Sequence, residues 1–179
     1  MAKANLVPLS NLPAFDHAGL IHVVIETPKG SRVKYAYQEE GGYFLRKFSL
    51  PEGMSFPFDF GFISSTKAED GDPLDVLLLA DAPLEMGCVV KALLLGAIKA
   101  EQKEKGKKKI RNDRLIAVTK DARGFLEAKE LNDLPKGMVD EITEFFVQYN
   151  RLRDKEFHPI GDCEAADAVK LVKKARRHK

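Results

Sequence analysis

Apolar residues fall in short runs through the first two thirds of the chain and at helical spacing only in the last third. Residues 20–27 (Leu-Ile-His-Val-Val-Ile-Glu-Thr) predict a strand that stops at Pro28. Residues 33–38 and 43–49 are aromatic-rich runs on either side of Glu39-Glu40-Gly41-Gly42, which predicts a hairpin with a glycine turn. Residues 73–80 and 88–100 are strongly apolar and separated by Asp81-Ala82-Pro83 and Gly87; 115–119 is a further short strand. Strands succeed one another through short turns with no helical crossover, the pattern of an antiparallel sheet or barrel. Late in the chain, Met138, Ile142, Phe145, Phe146, Tyr149 and Leu152 recur at helical spacing, with Asn132 or Asp133 as cap and Pro135 in the first turn. Gly161-Asp162 precedes a second predicted helix with Ala165, Ala168, Val169 and Val172 on one face. The expected class is α+β: a closed or nearly closed β-barrel flanked by two helices.

Composition narrows the class further. A chain of 179 residues with 44% hydrophobic and 31% charged residues has the proportions of a single globular domain, 1–179, rather than a disordered or fibrous protein. Two cysteines, Cys88 and Cys163, are too few for a disulfide scaffold or a four-cysteine zinc site, and Cys88 is expected to be buried in its apolar strand. The longest apolar run, 92–98, is far shorter than the roughly 20 residues of a membrane span, and the N-terminus has no apolar signal core. No membrane partner and a cytoplasmic location are therefore expected.

The formal charge is +2, but it is unevenly spread. Residues 101–114 hold seven Lys or Arg against three acids, and the tail 170–179 holds six against none. The rest, including an N-terminal arm over 1–18, carries 16 basic and 24 acidic residues. An acidic body with two basic patches suits a protein that gathers carboxylates around a cation better than a general nucleic-acid binder.

The densest chemistry is Glu69-Asp70-Gly71-Asp72-Pro73-Leu74-Asp75. Three aspartates so close repel one another at neutral pH unless they are solvated or a cation neutralises them. Gly71 and Pro73 form a tight turn able to aim Asp70 and Asp72 to one side, while Asp75 opens an apolar strand. An exposed capping turn and a metal site weigh equally on spacing alone. An EF-hand loop does not fit, because Asp75 stands where its glycine belongs and no glutamate closes it. Oxygen-only ligands point to Mg²⁺ or Mn²⁺ rather than zinc. His17, His22, His158 and His178 are scattered without ligand spacing.

Asp70-Gly71-Asp72-Pro73-Leu74-Asp75-Val76-Leu77 resembles the signature of the first family of soluble inorganic pyrophosphatases. Four more segments are similar in order and spacing: Val23-Val24-Ile25-Glu26-Thr27-Pro28, Val33-Lys34-Tyr35, the stretch 56–63, and Phe145-Phe146-Val147-Gln148-Tyr149. The resemblance spans nearly the whole chain. It implies a five-stranded OB-like barrel with two flanking C-terminal helices. It also implies Mg²⁺-dependent hydrolysis of pyrophosphate to two phosphates (an inorganic diphosphatase), with Mn²⁺ as an alternative metal, and a homo-oligomer, a hexamer in the short bacterial members. By this resemblance Asp70 and Asp75 hold metal, Glu26 supports the metal shell, and Asp72 orients or deprotonates the attacking water. Lys34, Lys47, Arg114 and Tyr149 contact phosphate.

The chain departs from the family pattern at several places. Ala36 replaces a glutamate, and Lys47, beside Arg46, replaces a phosphate-binding arginine. Phe60 replaces a tyrosine, Arg114 a lysine and Asn150 a lysine. Two further metal aspartates fall on Gln102 and Asn112, so the neighbouring Glu101 and Asp113 become the carboxylates that would serve as ligands after a one-residue shift. Two other readings stay open. The barrel could act on another phosphoanhydride, or bind phosphorylated ligands without turnover. As a nucleic-acid module it would use 103–111 and 170–179, but that loop lacks interleaved aromatics, which argues against nucleic acid as a partner.

Overall fold

The computed structural model describes residues 7–177; the first residues of the N-terminal arm and the last two of the basic tail lie outside the described residues. Among the described residues, nine strands and two α-helices follow in the order β1 (Ile21–Thr27), β2 (Val33–Gln38), β3 (Tyr43–Ser49), β4 (Asp59–Ile63), β5 (Asp75–Leu79), β6 (Val89–Glu104), β7 (Ile110–Arg111), β8 (Arg114–Thr119), α1 (Met138–Arg151), β9 (Lys155–Glu164) and α2 (Ala165–Ala175). The main sheet runs β1-β4-β5-β8-β6, and β1 also pairs with β6, which closes these strands into a ring. The expected barrel with two flanking helices is thus present.

Both faces of the ring strands are apolar because both are covered. Along β5, Leu77 and Leu79 pack with Phe56, Phe60 and the α1 residues Ile142 and Phe146. The alternate residues Val76 and Leu78 pack with Ile21, Val23 and the α2 residues Ala168 and Val172. This explains why the ring strands read as unbroken apolar runs. By contrast, the hairpin β2–β3 stands outside the ring as a separate two-stranded sheet, turning at Gly42 with φ 66°. The predicted glycine turn is where the sequence puts it.

Several expectations need correction. One strand pair, β5–β8, is parallel, because the long β6–β7 excursion carries the chain back across the ring before β8 begins. Gly161 and Asp162 belong to β9, which pairs along β6, and α2 starts directly after it. Asn132 and Asp133 lie in a short 3-10 turn with its own capping box to Glu130, whereas Gly137, left-handed at φ 86°, precedes α1. Cys88 is exposed, one residue before β6, rather than buried in the strand. Finally, most of the basic stretch 101–114 is a hairpin, with β6 extending to Glu104 and only 105–109 forming its tip.

Candidate active site

The acidic turn is shaped by Gly71, whose φ of 94° is open to glycine and costly for other residues. The Ala68 N–H donates to the Asp72 carbonyl at 2.7 Å, and the Asp72 N–H donates to the Asp70 Oδ1 atom at 3.1 Å. This closed turn aims Asp70 and Asp72 into a cavity of about 650 Å³. Asp75 reaches the same cavity from the start of β5. The parallel register sets Val76 beside Leu115, so Asp75 and Arg114 stand side by side at the starts of neighbouring strands. Arg114 Nη1 pairs with Asp75 Oδ2 at 2.7 Å.

Lys34, Lys47, Glu26 and Tyr149 also line the cavity. Lys34 sits at a bulge in the β2–β3 register, the kind of irregularity that re-aims a side chain. Its Nζ atom donates to Glu26 Oε2 at 2.7 Å and lies 4.2 Å from the centre of the Phe60 ring. Glu26 Oε1 accepts the Tyr37 backbone N–H at 2.7 Å. Both oxygens of Glu26 are therefore engaged in fixing the β2 hairpin and Lys34 against the ring. Tyr149 is buried among aromatic side chains, and loss of water pushes its phenol up to about 12. It is a neutral hydrogen-bonding group at any physiological pH.

Glu101 and Asp113 do not come to the cavity, and strand alternation is the reason. Gln102 and Asn112 face the cavity, so their neighbours face away. Glu101 pairs with Lys109 at 3.2 Å. Asp113 is buried; its Oδ1 atom accepts the Ala100 N–H at 3.0 Å and Arg111 Nε at 2.5 Å. On the cavity side, Asn112 Nδ2 donates to Gln102 Oε1 at 2.9 Å, and Asn112 Oδ1 accepts from Arg114. The result is a linked wall, Gln102–Asn112–Arg114–Asp75, that carries a buried guanidinium and two neutral amides.

Residues beyond those read from the sequence also line the cavity: Glu104, Lys107, Lys108, Arg153 and Lys155. Arg153 lies in the turn just after α1, and its place at the cavity wall comes from contacts with Phe48 and Tyr149. Glu104 meets Lys155 through the β6–β9 pairing, which links distant parts of the chain. Ion pairs to Lys107 and Lys155 hold the Glu104 carboxyl down to about 2.

The donor chemistry of the acidic wall suits a hard divalent cation. The Asp70 carboxyl is raised, first because the cavity walls displace water around it and then by the negative charges of Asp75 and Asp72. A bound cation would relieve that repulsion. Among the described residues no group of three His, Cys, Asp or Glu forms a ready-made cage, and Asp75 is paired with Arg114.

The inorganic pyrophosphatase family profile matches residues 23–179. An inorganic pyrophosphatase from Synechocystis is 37% identical over 165 residues, 92% of this chain and 94% of its own length. One from Halalkalibacterium halodurans is 39% identical over 86% of this chain and 91% of its own. The crystal structure of the Thermus thermophilus inorganic pyrophosphatase superposes with a TM-score of 0.85 at 34% identity, covering 94% of this chain and 97% of that one. With the closed barrel, the two helices and the acidic turn all in place, the chain belongs to the inorganic pyrophosphatase family.

Proposed function

We propose that the chain hydrolyses pyrophosphate to two phosphates with Mg²⁺ as its metal, Mn²⁺ being the alternative of matching ligand preference. The observation that carries this reading is one cavity holding Asp70, Asp72 and Asp75 together with Lys34, Lys47, Arg114 and Tyr149. Asp70 and Asp75 would hold the metal, which when bound offsets phosphate charge and lowers the pKa of a coordinated water. Asp72 is exposed in the cavity and has no cationic partner among the described residues, so its carboxylate is free to take a proton from the attacking water. Lys34 and Arg114 place fixed positive charge where phosphate oxygens gain negative charge, and Tyr149 donates without ionising. Glu26 positions Lys34 in this reading rather than binding metal, since both its oxygens are engaged.

Assembly of several copies belongs to the same proposal and is supported by exposed apolar side chains such as Val89, Leu93 and Ile160. Among the described residues no helix is long and apolar enough to cross a membrane. A second reading, action on a different phosphoanhydride, draws on the uncharged cavity residues Ala36, Gln102 and Asn112. Phosphate release from pyrophosphate and from nucleoside triphosphates, each with Mg²⁺ and with excess chelator, tests both. The proposal expects release from pyrophosphate with Mg²⁺ alone; release from triphosphates only, or undiminished release in chelator, contradicts it.

A further inference from the structure

The cavity is lined by seven Lys or Arg and five Asp or Glu, so its side chains carry +2 before any metal binds. The partners sort these charges. Lys34 is taken by Glu26, Arg114 by Asp75, and Lys107 and Lys155 share Glu104. Asp70 and Asp72 remain on the acidic side. Lys47, Lys108 and Arg153 remain on the basic side, none with a carboxylate partner among the described residues. A cavity of net positive sign concentrates anions, whereas one of net negative sign needs metal first.

Arg153 is the best placed of the three. Its guanidinium lies 4.3 Å from the centre of the Phe48 ring and 5.4 Å from that of Tyr149. Its Nη1 atom donates to the Tyr149 hydroxyl at 3.4 Å. Aromatic faces hold the planar group at the wall without neutralising it, and its other N–H donors stay available for a bidentate oxyanion. Asn150, three residues earlier, cannot do this: it is buried and its amide donates to the Phe146 carbonyl at 2.8 Å.

We propose that this cavity binds the free pyrophosphate-class anion without metal, with Arg153 as the anchor and Lys47 and Lys108 as supporting charges, an inference that rests on the substrate assigned above. Anion capture is then independent of metal, and metal ions are required for turnover. The amide and guanidinium wall of Gln102, Asn112 and Arg114 is consistent with this, since it adds no negative charge to repel the incoming phosphates.

The test is calorimetric titration of methylenediphosphonate, whose P–C–P bridge cannot be hydrolysed, into protein stripped of metal by chelator and then freed of the chelator. The expected result is saturable binding that weakens roughly 10- to 100-fold in Arg153→Gln and in part in Lys108→Gln, a loop-tip change that keeps the fold. Absence of saturable binding until Mg²⁺ is added overturns the proposal. So does binding that both variants leave unchanged while their thermal melts match the parent. Phosphate release from pyrophosphate by the same preparation with Mg²⁺ reads the assigned activity separately. Hydrolysis without metal-free binding overturns this inference alone. Metal-free binding without hydrolysis supports it and contradicts the hydrolase reading.

Discussion

Burial holds the Tyr149 phenol at about 12, well above the value of roughly 10 for a free tyrosine. Because the fold raises this pKa, it contributes stability that is fully present below about pH 10 and is lost as pH rises toward 12. Ultraviolet titration is therefore expected to show a phenol step at about pH 12 that Tyr149→Phe removes; a Tyr149→Phe titration identical to the parent's in that range, with both proteins folded, contradicts this. Asp72 makes the opposite kind of prediction. It is exposed and takes no part in the core, so Asp72→Asn is expected to leave the melting temperature unchanged and to lower the turnover rate ~10²–10⁴-fold, the usual worth of a positioned base. A near-normal rate in a folded Asp72→Asn protein would remove Asp72 from that role. Asp72 was legible in the sequence because the Asp-Gly-Asp-Pro turn is local. Arg153 was not singled out, because its worth depends on Phe48 from another element, and no local spacing records that contact.

Strand alternation decides which neighbours of the altered positions face the cavity. Gln102 and Glu104 share one side of β6, so Glu101 belongs to the other; Asn112 and Arg114 share a side, so Asp113 belongs to the other. Asp113 instead fastens the β6–β8 corner by accepting from the Ala100 N–H and from Arg111. Asp113→Ala is thus expected to cost ~1–3 kcal/mol for the stranded partners, seen as a drop of several degrees in thermal melting, with the Mg²⁺ dependence of phosphate release unchanged. A shifted Mg²⁺ dependence at an unchanged melting temperature would make Asp113 a ligand after all. Gly61 gives a second test. A Cβ there would stand 1.9 Å from the Val24 carbonyl oxygen, and backbone in a closed ring cannot move aside cheaply. Gly61→Ala is expected to lose more stability than the ~1–3 kcal/mol of ordinary overpacking, measured by urea unfolding; a loss under 1 kcal/mol would show the ring to be pliable. Strands with unbroken apolar runs were easy to place from the sequence. β9 is not legible in the sequence because Pro159 and Gly161 interrupt it and most of its side chains are exposed, so its reason for being a strand lies in its long pairing with β6.

Across the whole molecule, closure of β1 onto β6 brings the acidic turn, the β2 hairpin, the β6–β7 hairpin and the end of α1 around one cavity. The ring was legible from short strands without crossovers. The parallel β5–β8 pair that joins Asp75 to Arg114 was not, because it exists only after the chain has travelled out along β6 and back. The charge balance of the cavity is likewise a property of the assembled fold rather than of any segment. It gathers cations from β2, β3, the β6–β7 hairpin and the turn after α1 around the Asp70 turn. The central claim is that these charges serve attack of water on a phosphorus–oxygen–phosphorus bridge. Incubation with pyrophosphate and Mg²⁺ in ¹⁸O-enriched water, followed by ³¹P NMR of the products, tests it most directly. The account predicts two phosphates from each pyrophosphate consumed, one of them carrying a new ¹⁸O atom from solvent, and no reaction when chelator is in excess. Intact pyrophosphate after prolonged incubation with the folded protein, or phosphate formed without solvent oxygen, would contradict it.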